Sequence, residues 1–123
     1  MAFPRKDLFS IEDQAVSNYA RALCHPVRSS IMRELQRHEG MYVHEIEHII
    51  PLSMGAVSDH LAILREAQFV HVECQGRFNY YTINLRVLAE VDLKFNMLFA
   101  GLYGMGRSAK RMESERVRIT PWI

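Results

Sequence analysis

The chain has 123 residues, 49% of them apolar and 24% charged, and a formal net charge of +1. This length and balance point to one globular domain and exclude a two-lobed enzyme with a cleft between lobes, as well as a disordered or fibrous chain. The near-neutral charge gives bulk electrostatics little part in holding nucleic acid, so any such function has to rest on local geometry. The opening MAFPRKDLFS has basic residues with no apolar run behind them, unlike a secretory signal. The longest apolar run, Met97 to Met105, contains two glycines and is too short to cross a bilayer. The expectation is a cytoplasmic protein with no membrane partner. Cys24 and Cys74 are too few for a secreted disulfide framework and are read as buried thiols.

Residues 1–9 form an N-terminal arm. Ser10 then opens a helix, with Asp13 three residues on and Ile11, Ala15, Tyr19 and Ala22 or Leu23 at helical spacing. Pro26 is tolerated only in a first turn, so His25 is a boundary. A second helix follows from Val27 to His38, with Val27, Ile31 and Leu35 on one face, and Gly40 stops it. Tyr42 to Ile50 reads as a third helix with Val43, Ile46 and Ile50 inward, broken by Pro51.

Ser53 restarts the chain as a fourth helix ending near Gln68, and the broken pair is a helix-turn-helix. Val57, Leu61 and Leu64 recur at spacings of four and three and form the buried stripe. Ser53 stands where its hydroxyl can accept from an orphan N–H of the first turn. At about 100° per residue, Gly55, Ala56 and Asp59 face away from that stripe, with Ser58 and His60 on its flanks. This is the candidate reading surface. Ser53 and the free amides of its helix suit a phosphate. Ser58 and His60 can hydrogen-bond bases or phosphates, Ala56 can touch a thymine methyl, and Asp59 can accept from cytosine.

FVHVEC and FNYYTI are two alternating β-rich runs separated by Gln75, Gly76 and Arg77, hence a hairpin. Gly76 supplies the left-handed turn and Arg77 stands at the tip, where a narrow minor groove would attract it. A hairpin directly after a helix-turn-helix is a wing. Asn84 caps a last helix with Leu85, Leu88, Val91, Phe95, Leu98 and Leu102 at helical spacing, and Val87, Leu93, Met97 and Phe99 off that line. So much apolar surface exceeds what one small core can bury, which implies a second copy. The candidate interface is Tyr19, Leu88, Val91, Phe95, Leu98 and Leu102. The winged-helix domain is expected over residues 10–100, and residues 101–123 are expected to be a flexible basic tail. The fold class is mainly α with a small β-hairpin, in the order α-α-α-α-β-β-α.

In this arrangement the sequence resembles the ArsR-type winged-helix repressors, dimeric bacterial regulators of transcription. ALCHPVRSSIMREL is similar to the family's second-helix signature, LSMGAVSDHLAILREAQFV to its reading helix, and GRFNYYTI to its wing. The resemblance covers about residues 20–99. It implies a homodimer joined through its first and last helices, bound to an imperfect palindrome in double-stranded DNA and released by an inducer. Thiolate-metal members carry Cys-x-Cys where this chain has Tyr42 and His44. Members with a metal site across the last helices place Asp and His where this chain has Asn84 and Arg86. Neither usual metal site is present in its usual form, and no cofactor is expected. Met54, Gly55 and Ala56 stand where the family is polar, which implies fewer side-chain hydrogen bonds to bases.

Other constellations compete with this reading. His44, Glu45 and His48 spell H-E-x-x-H, the pattern of a zinc hydrolase, or, without Glu45 as a base, of a regulatory metal site. Against hydrolysis, the helix ends at Pro51 and no third ligand follows. Cys24 and Cys74 are candidates for a thiol switch. A fold retained as an interaction module without DNA binding is a further alternative, given the low charge. The reading adopted is a non-enzymatic, homodimeric DNA-binding regulator, most simply a repressor.

Overall fold

A computed structural model of the protein describes residues 8–104. Five helices and three strands follow in order: α1 (Ile11–Leu23), α2 (Pro26–His38), β1 (Met41–Tyr42), α3 (Val43–Ile49), α4 (Met54–Glu66), β2 (Val70–Gln75), β3 (Phe78–Ile83) and α5 (Leu85–Tyr103). The arm up to residue 7 and the basic tail from residue 105 lie outside the described residues. No described helix is long and apolar enough to cross a membrane.

The helix starts follow the caps in the sequence. Ser10 accepts from the Asp13 N–H, Ser53 from Ala56 and Asn84 from Val87, each satisfying a donor that the first turn leaves without a partner. His25 does the same for α2, its Nδ1 accepting from the Val27 N–H at 3.1 Å ahead of Pro26. The end of α2 differs from expectation. Glu39, not Gly40, takes the left-handed position at φ 56°, and the Gly40 N–H then reaches back to the Leu35 carbonyl at 3.1 Å. This is the Schellman closure. Gly40 follows at φ 122°, and a Cβ there would run into the Tyr80 ring and hydroxyl, so glycine is required on two counts.

The strand β1 occupies the position where the sequence pattern predicts the start of the third helix. Met41 and Tyr42 pair antiparallel with Tyr81 and Tyr80, so the sheet has three strands in the order β1-β3-β2. The third helix accordingly starts at Val43. The hairpin loop is Gly76 and Arg77 alone, because Gln75 pairs with Phe78 inside the ladder. Gly76 has φ 65°. At the far end, α5 runs through Gly101 to Tyr103 and closes on left-handed Gly104, so the first residues of the expected flexible tail belong to the helix instead.

The core joins these elements. Ile31 and Leu35 of α2, Ile46 and Ile50 at α3, Val57, Leu61 and Leu64 of α4, Met41, Phe69 and Val70, and Val87 and Val91 of α5 are all buried. The stripe expected of α4 is the one observed, and those of α2 and α3 are observed with Val27 and Val43 half-buried against the core. The first helix departs from its pattern at Ile11, which is exposed, while Ala22 is buried.

Candidate nucleic-acid interface

The turn between α3 and α4 is set by Ile50, whose extended backbone (φ −82°, ψ 121°) ends α3 directly before Pro51. Two residues later Ser53 is also extended and exposed, and its hydroxyl accepts from Ala56 at 3.2 Å. Because Val57, Leu61 and Leu64 are held in the core, the opposite face of α4 is turned to solvent. Gly55, Ser58 and Asp59 are exposed there, and Ala56 is half-buried at the edge. A Cβ at Gly55 would meet nothing within 4 Å, so the backbone at this point lies open to close approach. Ala62, one turn beyond Ser58 and also exposed, belongs to the same face. The spacing 55, 58, 59, 62 is the signal in the sequence that places it there.

His60 lies on the flank of the buried stripe, as expected, but packs against a partner the sequence does not indicate. It is half-buried, its ring lies 4.4 Å from that of His25, and its Nδ1 is buried without a hydrogen bond to described residues. Beneath it, Arg28 is 7% exposed; its Nη2 donates to the Arg21 carbonyl at 3.2 Å, and its buried Nε makes no hydrogen bond to described residues. The contact ties α4 to the start of α2. Burial, then the neighbouring His25 and Arg28, hold the His60 pKa below the ordinary 6.5, against a smaller upward pull from Asp59.

A histidine with a lowered folded pKa favours the neutral form, so its contribution is fully present above the unfolded value near 6.5. It is lost as pH falls through the lower folded value. The thermal midpoint is therefore expected to drop below pH ~6.5 more steeply in the wild type than in His60→Gln. Parallel pH profiles in the two proteins would contradict this linkage.

Arg77 is exposed at the wing tip, directly after Gly76. Behind it lies a group of rings. Tyr42 stacks on His44 (5.5 Å, 11° between planes) and meets Phe78 and Tyr80 edge-on at 6.2 and 5.0 Å. The Tyr42 hydroxyl and the Gln75 Oε1 are 2.6 Å apart, with the hydroxyl donating. Glu45 accepts from the Tyr42 backbone N–H at 2.9 Å.

The H-E-x-x-H spelling is thus used locally. The Glu45 carboxylate serves as a helix cap and the His44 ring as an aromatic slab. His44, Glu45 and His48 line a shallow pocket of about 390 Å³ with His38 and Met41. Among the described residues no group of three or more His, Cys, Asp or Glu side chains is placed to hold a metal ion. The cysteines are exposed rather than buried: Cys24 donates to the Arg21 carbonyl at the end of α1, and Cys74 to Asn79 Oδ1 across the hairpin. A short polar-facing β2 and a helix end put both thiols outside the core.

The apolar surface of α5 is partly buried and partly exposed. Val91, 4% exposed, is part of the chain's own core with Val87, and Tyr19 meets Phe69 edge-on at 5.7 Å. Val91 therefore has almost no surface left for a partner. Leu88 and Leu102 are exposed, and Phe95 and Leu98 half-buried. Leu85 (72% exposed) and Phe99 (51%), absent from the expected interface, extend this flank, with Phe99 stacked on Phe95 at 6.3 Å. The sequence could not rank them, because a helix apolar on several faces does not declare which face its own core takes.

Comparison with known proteins adds to the geometry. A family model described as a helix-turn-helix domain matches residues 23–73. The transcriptional repressor PagR of Bacillus anthracis is 33% identical over 78 residues, 63% of this chain and 76% of that protein. An ArsR-like transcriptional regulator from Rhodococcus sp. RHA1 superposes with a TM-score of 0.65 at 18% identity, covering 88% of this chain and 96% of that one. A homodimeric winged helix-turn-helix DNA-binding domain from Mycobacterium bovis gives a TM-score of 0.59 at 19% identity, over 88% of this chain and 97% of that one. At such identities the two structures show a shared fold.

Proposed function

This chain belongs to the ArsR-type family of winged helix-turn-helix transcriptional regulators, and on that premise we propose that it is a homodimeric repressor without catalytic activity, binding an imperfect palindrome in duplex DNA. The observation that carries the proposal is the outward face of α4, where Ser53, Gly55, Ser58, Asp59 and Ala62 are exposed on a helix whose opposite side is locked in the core.

Ser53 and the first-turn amides meet a phosphate, which fixes the helix end against the backbone. Gly55 lets the helix approach closely. Ser58 and Asp59 reach base edges, Asp59 as an acceptor for cytosine, and Ala56 and Ala62 make apolar contact with thymine methyls. Arg77 enters the minor groove from the wing. His60, turned against His25, steadies α4 and does not itself read a base.

The second copy is supported by the exposed flank of α5, Leu85, Leu88, Phe99 and Leu102, and by the homodimeric state named for the Mycobacterium bovis domain. A two-fold axis there sets two copies of α4 on successive major grooves, about 34–36 Å apart. DNA binding and dimerisation are thus assigned to one domain, from Ser10 to the end of α5.

The test is a gel-shift series at rising salt on a duplex spanning the region upstream of the chain's own gene. The logarithm of affinity is expected to fall linearly with the logarithm of salt concentration. Arg77→Ala should weaken binding by about 1–3 kcal/mol and make the salt dependence shallower by about one ion per wing. Affinity absent or indifferent to salt would make the fold an interaction module instead.

A further inference from the structure

The hairpin outruns the sheet that supports it. β1 pairs only with Tyr80 and Tyr81, whereas β2 and β3 continue as an isolated two-stranded ribbon through Cys74 and Asn79 to Gln75 and Phe78. Such a ribbon has little stiffness of its own, so side-chain contacts decide where its tip points. Among the described residues, Tyr42 and His44 supply such contacts. The Tyr42 hydroxyl bonds Gln75, the residue before the loop, and the Tyr42 and His44 rings both meet Phe78, the residue after it, the latter at 5.4 Å. Gln75 and Phe78, the residues on either side of Gly76 and Arg77, are therefore held by Tyr42 of β1 and His44 of α3.

We propose that Tyr42, with His44 stacked on it, is the positioning residue of the wing, fixing the direction in which Arg77 is presented to DNA. This rests on the reading of the wing as a DNA contact. It also accounts for His44, whose ring is used for its flat face. A phenylalanine there keeps the stack while losing any capacity to bind metal.

The experiment combines affinity for the upstream duplex with amide hydrogen exchange of the DNA-free protein. Tyr42→Phe and His44→Ala should each weaken binding about three- to tenfold, as expected for one modest contact, while His44→Phe stays within about twofold of wild type. Adding Tyr42→Phe to Arg77→Ala should weaken binding no further, since Tyr42 acts through Arg77. Without DNA, Tyr42→Phe should speed exchange at Gln75 and Phe78, the pair that closes the loop, and leave the thermal midpoint unchanged.

Equal losses from Tyr42→Phe in both backgrounds, or unchanged exchange at the tip, overturn the proposal. A loss in His44→Phe as large as in His44→Ala does the same. If Arg77→Ala binds like wild type, the wing's part in DNA binding falls and this inference with it. A normal effect of Arg77→Ala with none from Tyr42→Phe overturns this inference alone.

Discussion

Replacing Leu88 and Phe99 together by glutamate is expected to leave a folded monomer whose affinity for DNA is lower by about a hundredfold or more. Both side chains are exposed on the single chain, at 37% and 51%, so the change creates no cavity in its core. In a two-fold interface each substitution appears twice, placing four carboxylates in a patch closed from water, where unpaired charges are heavily penalised. In the proposed homodimer, the loss of DNA affinity follows from separating the two copies of α4. When two half-sites are held on one body, the second contact forms at a high effective concentration, and a monomer forfeits that gain. Sedimentation gives the mass, and gel shifts on the upstream duplex give the affinity. A double variant that remains a dimer would place the interface elsewhere. Leu85 and Leu102 lie on the same flank and should behave in the same direction, whereas Val91 should act on stability.

Phe69→Ala is expected to destabilise the fold by about 3–5 kcal/mol, enough to lower the thermal midpoint by more than about 10 °C. Phe69 is fully buried between α4 and β2, with Tyr19 of α1 set edge-on against its ring. Its own backbone is equally committed: its N–H donates to the Leu64 carbonyl at 3.0 Å, and its carbonyl accepts from Asn84 at 2.9 Å. Emptying that position removes the ring around which the end of α4, the base of the wing and the start of α5 meet. The surroundings cannot close over the space without moving elements fixed by hydrogen bonds. Denaturant or thermal unfolding measures the loss, and a shift within a few degrees of wild type would mean the site can collapse. Phe69→Leu, which keeps much of the volume, should cost substantially less.

The elements that could be read from the sequence are those specified by neighbours in the chain. Ser10, Ser53 and Asn84 announce helix starts because a cap is a contact over three residues, and Val57, Leu61 and Leu64 announce a buried face because their spacing matches the helix. Gly76 announces the turn. What escaped depends on distant partners. Met41 and Tyr42 become a strand only because Tyr80 and Tyr81 come alongside, and two residues carry no period of their own. His60 lies on the expected flank of α4, but its ring contact is with His25, thirty-five positions earlier. On α5 the residues were identified but their division was not, since the choice between Val91 inward and Leu85 outward is made by the roll of the helix on the core. The Tyr42 hydroxyl, thirty-three positions from Gln75, was equally out of reach.

Asn84 carries one further implication. Its side-chain amide donates to the Gln68 carbonyl, its backbone N–H to Phe69, and its side-chain oxygen caps α5 at Val87. The residues just outside the two ends of the hairpin are thereby stitched together by the group that starts the last helix. The strands cannot splay at their root without unwinding the first turn of α5, so fraying of one and uncapping of the other are a single event.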